Sequence, residues 1–141
     1  MSINIFNHEH YLDPTACAAL TRIEQAAKKA AYRPFVFICS PFAGDTERNV
    51  ERARRYCRFA VSNGYIPIAP HVYFPQFMDD DDEEQRDLGL FMGMVLMSRC
   101  KELWVFGGTV SRGMAVEIEK ANQRGIPIRY FNTCCEEVQA V

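Results

Sequence analysis

Short apolar runs alternate with amphipathic stretches between residues 34 and 131. The runs cover residues 35–39, 65–68, 103–106 and 126–131, and each adjoins a Gly, Pro or Ser residue. Continuous apolar runs of this kind are typical of strands that are buried on both faces of a parallel sheet. Pro67 indicates that the second strand lies at an edge of that sheet, because proline has no N–H to donate to a neighbour.

The stretches between the runs carry apolar residues at helical spacing. The first is Val50, Ala53, Cys57, Ala60 and Val61, with a stop at Asn63-Gly64. The second is a stripe formed by Leu88, Phe91, Met92, Val95 and Leu96. The third runs from about Ser111 to Arg124, and a separate helix is expected from the cap Asp13 and Pro14 to about Tyr32.

This alternation predicts an α/β protein: a Rossmann- or flavodoxin-like parallel sheet with helices on both faces, plus an N-terminal helix. We expect three regions along the chain. Residues 1–33 form an N-terminal extension that packs on the core, residues 34–131 form the α/β domain, and residues 132–141 form a C-terminal tail.

Charge and composition narrow the classes of partner. Sixteen basic and eighteen acidic side chains give a net charge of -2, which disfavours nucleic acid and anionic membranes as partners. No apolar run approaches the roughly 20 residues that span a bilayer. The first thirteen residues show no signal peptide pattern, so we expect a cytoplasmic protein.

The six cysteines and a cluster of arginines have structural interpretations. There is no CxxC pattern or nearby histidine pair, so we expect reduced thiols that mostly pack in the core. The helix after residue 45 carries five arginines among two glutamates, and we expect a solvated face, with Glu51 and Arg55 in the stabilising i,i+4 order. Those arginines are Arg48, Arg52, Arg54, Arg55 and Arg58.

Three segments follow the carboxyl ends of the predicted strands, where open parallel sheets bind ligands. They are residues 40–45, residues 69–82, expected to be a long loop, and residues 107–113. The acidic run at 79–84 is read as a solvated loop and helix start. A weak cation site there stays an alternative, because Mg²⁺ needs only one or two carboxylates.

Polar residues in or beside these segments are candidates for chemistry. Glu117 lies in a helix one turn after Gly113, which leaves space for a ligand; the alternative is an ordinary solvated glutamate. Asp87 is expected to open a helix, where its charge is favourable even without a function. Ser111 is either a helix cap or a phosphate ligand. His71 is either a ligand contact or a buried loop histidine.

Five pieces of the chain follow the order found in the nucleoside 2-deoxyribosyltransferase-like family. They are Val36–Gly44, Ala69–His71, Gln85–Leu88, Glu102–Phe106 and Ser111–Glu117. The chain resembles this family over about residues 34–131. The family includes 2'-deoxynucleoside 5'-monophosphate N-glycosidases, and the chain is most similar to its small uncharacterised bacterial and phage members. The most specific piece is the polar residue six positions before a helix glutamate.

The resemblance implies roles for particular residues. Glu117 is the nucleophile, Asp87 assists departure of the base, and Ser111 binds the 5' end of the sugar, a choice that favours a 5'-phosphate. The further substrate-binding residues are Phe37, Ser40, Phe42, Gly44, His71 and Gly113. The resemblance implies no cofactor and no metal. It implies a small nucleoside or nucleotide as partner, and a homo-oligomer, dimer or higher.

Two departures from the family keep other functions open. A tyrosine common in the first strand is Phe37 here, and Ala43 stands where a phosphate-binding arginine can occur. These favour a non-catalytic nucleotide-binding module as the alternative to an enzyme. A third interpretation is an interaction protein that associates through residues 69–82 and the N-terminal helix. Among the enzymatic interpretations, hydrolase and transferase both stay open.

Overall fold

The computed structural model describes residues 14–29 and 32–140, which divide into two units. Helix α1 (Pro14–Lys29) belongs to the first unit. The second unit begins at Arg33 and contains the sheet. Asp13, expected to cap α1, lies outside the described residues, and Tyr32, its expected last residue, is not helical.

The second unit is built on a five-stranded sheet flanked by helices. Its strands are β1 (Phe35–Cys39), β2 (Ile66–Ile68), β3 (Glu102–Phe106), β4 (Ile128–Phe131) and β5 (Glu137–Val138). Its helices are α2 (Thr46–Ser62), α3 (Pro70–Tyr73), α4 (Glu83–Met97) and α5 (Arg112–Gln123). The strand order is β2-β1-β3-β4-β5, and the first four strands are parallel. The predicted flavodoxin-like α/β fold is confirmed.

The two faces of the sheet carry separate hydrophobic clusters, because successive strand residues point to opposite sides. On the side of α4 and α5, the cluster contains Phe37, Cys39, Met97, Leu103, Val105 and Met114. On the side of α2, it contains Val36, Ile38, Tyr56, Trp104, Phe106 and Phe131. Pro67 lies in β2 at the sheet edge, as the sequence predicted.

Helix α2 follows the sequence prediction closely. The Asp45 carboxylate accepts a hydrogen bond from the Arg48 N–H at 3.3 Å and so caps the helix. Asn63 ends the helix, and Gly64 adopts a φ of 85°, which favours glycine at this position. An exposed ion pair on α2 joins Glu51 to Arg54 at 3.6 Å, whereas Arg55 donates a hydrogen bond to the Thr133 carbonyl oxygen. The expected Glu51–Arg55 pair is therefore replaced.

The segment between β2 and α4 is more ordered than the predicted loop. Pro70 begins α3, where its fixed φ suits the first helical position, and a 3₁₀ turn (Phe74–Gln76) follows. Helix α4 then begins at Glu83, and the Asp82 carboxylate accepts a hydrogen bond from the Glu84 N–H. The prediction that Asp87 opens this helix is wrong, since Asp87 lies in its second turn.

The predicted apolar stripe of α4 is not its buried face. Leu88, Phe91 and Val95 are 50%, 65% and 46% exposed, whereas Gly93 and Met97 are the buried residues of the helix. At Gly93, a Cβ atom would lie 3.8 Å from the Pro70 ring. The close approach of α4 to α3 therefore uses the face with the small residue, and Leu88, Phe91 and Val95 face outward.

The residues predicted to be a tail include the short strand β5, which pairs antiparallel with β4. Arg129 of β4 donates two hydrogen bonds to the Glu137 carboxylate, at 3.0 and 2.8 Å. Cys134 is exposed, and Cys135 packs against the cluster on the α2 side. All six cysteines lie within the described residues and are free thiols. No helix in the described ranges is long and apolar enough to cross a membrane.

Candidate active site

A cavity of about 500 Å³ opens beyond the carboxyl ends of β1 and β2, beside α4 and the start of α5. Its walls come from the β1–α2 loop, the α3 region, α4 and the first turns of α5. Its polar lining includes Ser40, His71, Asp79, Asp80, Gln85, Arg86, Asp87, Ser111, Arg112 and Glu117. Its apolar lining includes Phe37, Phe42, Phe74, Pro75, Met78, Leu90 and Met94.

Glu117 reaches this cavity because α5 packs on the sheet through its neighbours. Met114 and Ala121 are buried, and Glu117 lies between them on the partly buried border of the helix. Burial raises the pKa of Glu117 to about 8. Burial, and to a lesser degree the Glu117 charge, also raise the pKa of the Cys39 thiol. Glu117 therefore lies against the end of β1, in a wall with low solvent access.

Ser40 and His71 form a polar pair at the floor of the cavity. The Ser40 Oγ and His71 Nε2 atoms are 2.8 Å apart, and Ser40 is buried. Burial lowers the pKa of His71 to about 4, so the imidazole is neutral at physiological pH. The pair joins the end of β1 to α3 without introducing a charge. His71 is thus partly buried and lines the cavity, so it has features of both interpretations of the sequence.

The first turn of α5 forms another part of the wall. Ser111 Oγ accepts a hydrogen bond from the Met114 N–H at 3.3 Å, so Ser111 caps the helix. Its hydroxyl proton is not used in this contact and can be donated to a ligand. Gly113 has open space where a Cβ atom would lie, as expected for a position that admits a ligand beside Glu117. The positive end of the helix dipole adds to the attraction for an anion.

Charged side chains of both signs surround the remaining rim. Asp87 is an exposed residue of α4 that lines the cavity, and it is flanked there by Arg86. Arg112 lies next to Ser111 at the start of α5. Asp79 donates its N–H to Gln85 Oε1 at 2.8 Å, which ties the acidic loop to α4. The rim can therefore contact both an anionic group and a proton-accepting group of a ligand.

The structure brings most of the predicted site residues together. Those that line the cavity are Phe37, Ser40, Phe42, His71, Asp87, Ser111, Gly113 and Glu117. Gly44 does not line it; with a φ of 95°, it shapes the turn before α2. The sequence prediction missed Arg86, Arg112 and the apolar wall from Phe74 to Met94. The sequence signal for these residues was their position next to residues that were already candidates.

The cavity has no cluster suited to hold a metal ion. Within residues 14–29 and 32–140, no three His, Cys, Asp or Glu side chains are grouped to share one. The acidic run at 79–84 is an exposed loop and helix cap.

The strand order defines a flavodoxin-like α/β domain, and its fold is that of the nucleoside 2-deoxyribosyltransferases. The cavity lies at the carboxyl ends of the strands. The chain belongs to the family described as a domain of unknown function (DUF7768), whose model matches residues 34–131. The domain is similar to a solved 2-deoxyribosyltransferase from the psychrotolerant bacterium Bacillus psychrosaccharolyticus. The TM-score is 0.56 and the identity 17%, over 74% of this chain and 77% of that one. No curated protein matches the sequence significantly.

Proposed function

We propose that this protein cleaves the N-glycosidic bond of a (deoxy)nucleoside or nucleoside 5'-monophosphate, or transfers its deoxyribosyl group, with Glu117 as nucleophile. The observation that carries the proposal is the Glu117 carboxyl group in the wall of a cavity of about 500 Å³, where burial raises its pKa to about 8. Perturbed carboxyl groups in clefts are candidates for catalysis. The similarity to a deoxyribosyltransferase supports this class of reaction.

The reaction has two steps. The Glu117 carboxylate attacks C1' of the sugar while the bond from C1' to the base nitrogen breaks, and the base leaves with the bonding electron pair. A glycosyl ester of Glu117 results. Water, or an N–H nitrogen of a second base, then attacks C1' and releases the Glu117 carboxylate. The proton lost by this nucleophile returns to the group that protonated the first base. Water makes the enzyme a hydrolase, and a second base makes it a transferase.

The other cavity residues supply assistance and positioning. A departing purine or pyrimidine is a poor anion, so a proton donor must reach its nitrogen, and Asp87 is the candidate on α4. Ser111 and Arg112 can donate to a 5'-phosphate at the start of α5. Phe42 and Phe74 offer apolar surface for the planar base.

The test is a panel of deoxynucleosides, ribonucleosides and their 5'-monophosphates incubated with the full chain. Chromatography measures the release of free base, with and without a second base as acceptor. We expect release from at least one member, and its loss in Glu117→Gln. Glu119→Gln is the matched control, because Glu119 is an exposed residue of the same helix. No release by the unmodified chain, or undiminished release by the Glu117 variant, contradicts the proposal.

A non-catalytic nucleotide-binding module is the second candidate. Two features favour it. Phe37 and Ala43 stand where nucleoside 2-deoxyribosyltransferase-like proteins can carry a tyrosine and an arginine, and the raised pKa of Glu117 keeps its carboxyl group mostly protonated at neutral pH. This candidate predicts that a nucleotide raises the melting temperature while no base is released. Turnover of that same nucleotide selects the enzyme instead.

A further inference from the structure

A second cavity, of about 270 Å³, lies beyond the carboxyl ends of β1, β3 and β4, on the α2 side of the sheet. Its lining consists of Ser40, Pro41, Asn49, Arg52, Tyr56, Gly107, Gly108, Thr109 and Thr133. Ser40 borders both cavities, and its hydroxyl group forms a hydrogen bond with His71 in the first one. The second cavity contains none of the residues to which the proposed reaction assigns a chemical step.

Tyr56 brings a buried hydroxyl group to this cavity. The residue is only 1% exposed, and its ring stacks on Phe106 with centroids 4.1 Å apart. Its hydroxyl group makes no hydrogen bond to any described residue, although no fully enclosed side-chain N or O atom among those residues lacks a partner. The hydroxyl therefore opens into the cavity that Tyr56 lines, where it is free to donate to a ligand.

Two arginines lie near that hydroxyl group. Burial raises the pKa of Tyr56, and Arg52 and Arg55 act against this rise, so both cations lie close enough to influence the phenol. Arg55 donates to the Thr133 carbonyl oxygen at 3.4 Å. Arg52 lines the cavity and makes no ion pair with a carboxylate of the described chain. No acidic residue lines the cavity, so the Arg52 charge is not neutralised there.

We propose that this second cavity binds a phosphate group, either free phosphate or the phosphate of a small monoester. The planar guanidinium of Arg52 suits two phosphate oxygens, and the hydroxyl groups of Tyr56, Thr109 and Thr133 supply further donors. The volume is several times the roughly 30 Å³ that a water molecule occupies, so a small ester substituent also fits. The cavity lies between β1 and β3, where the strand order reverses, a common place for ligands in such sheets.

The test is calorimetric titration of the full chain with inorganic phosphate, against chloride at equal ionic strength. We expect saturable binding that Arg52→Ala weakens by at least about tenfold, because charge-assisted hydrogen bonds are the strong ones. Tyr56→Phe keeps the stacked ring and should weaken binding less. Arg54→Ala is the matched control, since it removes the same charge from the exposed face of the same helix and should leave binding unchanged.

Two further variants separate this proposal from the proposed function. Ser111→Ala alters the phosphate contact expected in the first cavity, and Glu117→Gln abolishes the proposed chemistry; neither should affect phosphate binding in the second. Ribose 5-phosphate distinguishes the sources: tighter binding than phosphate with the same Arg52 dependence indicates a monoester, and equal binding indicates free phosphate. Absence of saturable binding, or binding that survives Arg52→Ala, overturns the proposal.

Discussion

Glu117 holds a proton at neutral pH when no ligand is bound, because burial raises its pKa to about 8. A nucleophile must be ionised, and with that pKa about one tenth of the molecules carry the carboxylate at pH 7. We therefore expect kcat/KM to rise about tenfold between pH 7 and pH 9, since it reports ionisations of the free enzyme. Initial rates of base release over this range test the prediction. A flat profile would show that Glu117 ionisation does not limit the reaction.

The Glu117 proton also makes the free energy of unfolding depend on pH. The folded chain keeps the Glu117 proton up to about pH 8, whereas the unfolded chain releases it near pH 4.5, so rising pH across this interval favours unfolding. Glu117→Gln has no proton to lose. Its stability relative to the unmodified chain should grow from pH 4.5 to pH 8, by up to a few kcal/mol, since one pKa unit corresponds to about 1.4 kcal/mol.

Urea unfolding of both chains at several pH values measures this difference. His71, whose pKa burial lowers to about 4, titrates alike in both chains and cancels from the comparison. A difference that stays constant with pH would mean that Glu117 is solvated like an ordinary surface glutamate.

At this scale, the sequence located candidate residues but could not give their environments. The spacing of Gly113 and Glu117 predicted space for a ligand beside the carboxyl group, since helical geometry places residues four apart on one face. The role of Ser111 at the 5' end of the sugar came from the family resemblance. The burial of Glu117 and the Ser40–His71 bond depend on how three separate elements pack. Arg52 shows the same limit: its pattern on α2 indicated a solvated face, yet it lines a cavity formed with two distant turns.

At the scale of elements, the start of α5 combines a structural cap with a candidate phosphate contact at Ser111. Ser111→Asp preserves the cap, because aspartate is as good at this position, but places a negative charge where the 5'-phosphate is expected. We expect turnover of 5'-monophosphates to fall at least about tenfold relative to Ser111→Asn, a neutral cap. The turnover of nucleosides, which carry no phosphate, should differ much less between the two variants. Equal loss for both substrate classes would place the phosphate elsewhere.

Gly113, in the same turn, is a weak helix former, but its missing side chain leaves space in the cavity for a ligand. A Cβ atom there would meet no other atom within 4 Å, so Gly113→Ala should stabilise the fold by about 1 kcal/mol through helix propensity. Its methyl group would enter the cavity beside Glu117 and reduce turnover. Thermal unfolding and base release measure the two effects. Gly125→Ala is the contrast: φ is 70° there, so the same change should destabilise the fold.

Helix α4 shows why hydrophobic periodicity did not identify its buried face. Five large apolar residues recur at helical spacing, but the pattern records only that they share a face. The structure buries Gly93 and Met97 instead, because α4 approaches Pro70 closely through its small residue. The two-residue strand β5 was missed for another reason: it is too short to show alternation. Longer strands that are buried over four consecutive residues, such as β1 and β3, were predictable.

At the scale of the whole second unit, cavities lie on both faces of the sheet beyond the carboxyl end of β1. Helices on opposite faces of the sheet border them, so each cavity takes most of its walls from different elements. The end of β1 contributes to both, through Ser40. A ligand that contacts Ser40 in one cavity therefore contacts a residue that also lines the other cavity.

The exposed side chains of α4 bear on the assembly of the whole protein. A solvated helix does not ordinarily carry a stripe such as Leu88, Phe91 and Val95, and exposed apolar patches often mark interfaces. With the homo-oligomer that the sequence resemblance implied, we expect light scattering to give about twice the 16.2 kDa of one chain, or more. Phe91→Lys should shift this mass toward the monomer without unfolding, because Phe91 is already exposed. Val61→Lys, an exposed apolar position on α2, is the control; a monomeric unmodified chain would contradict the prediction.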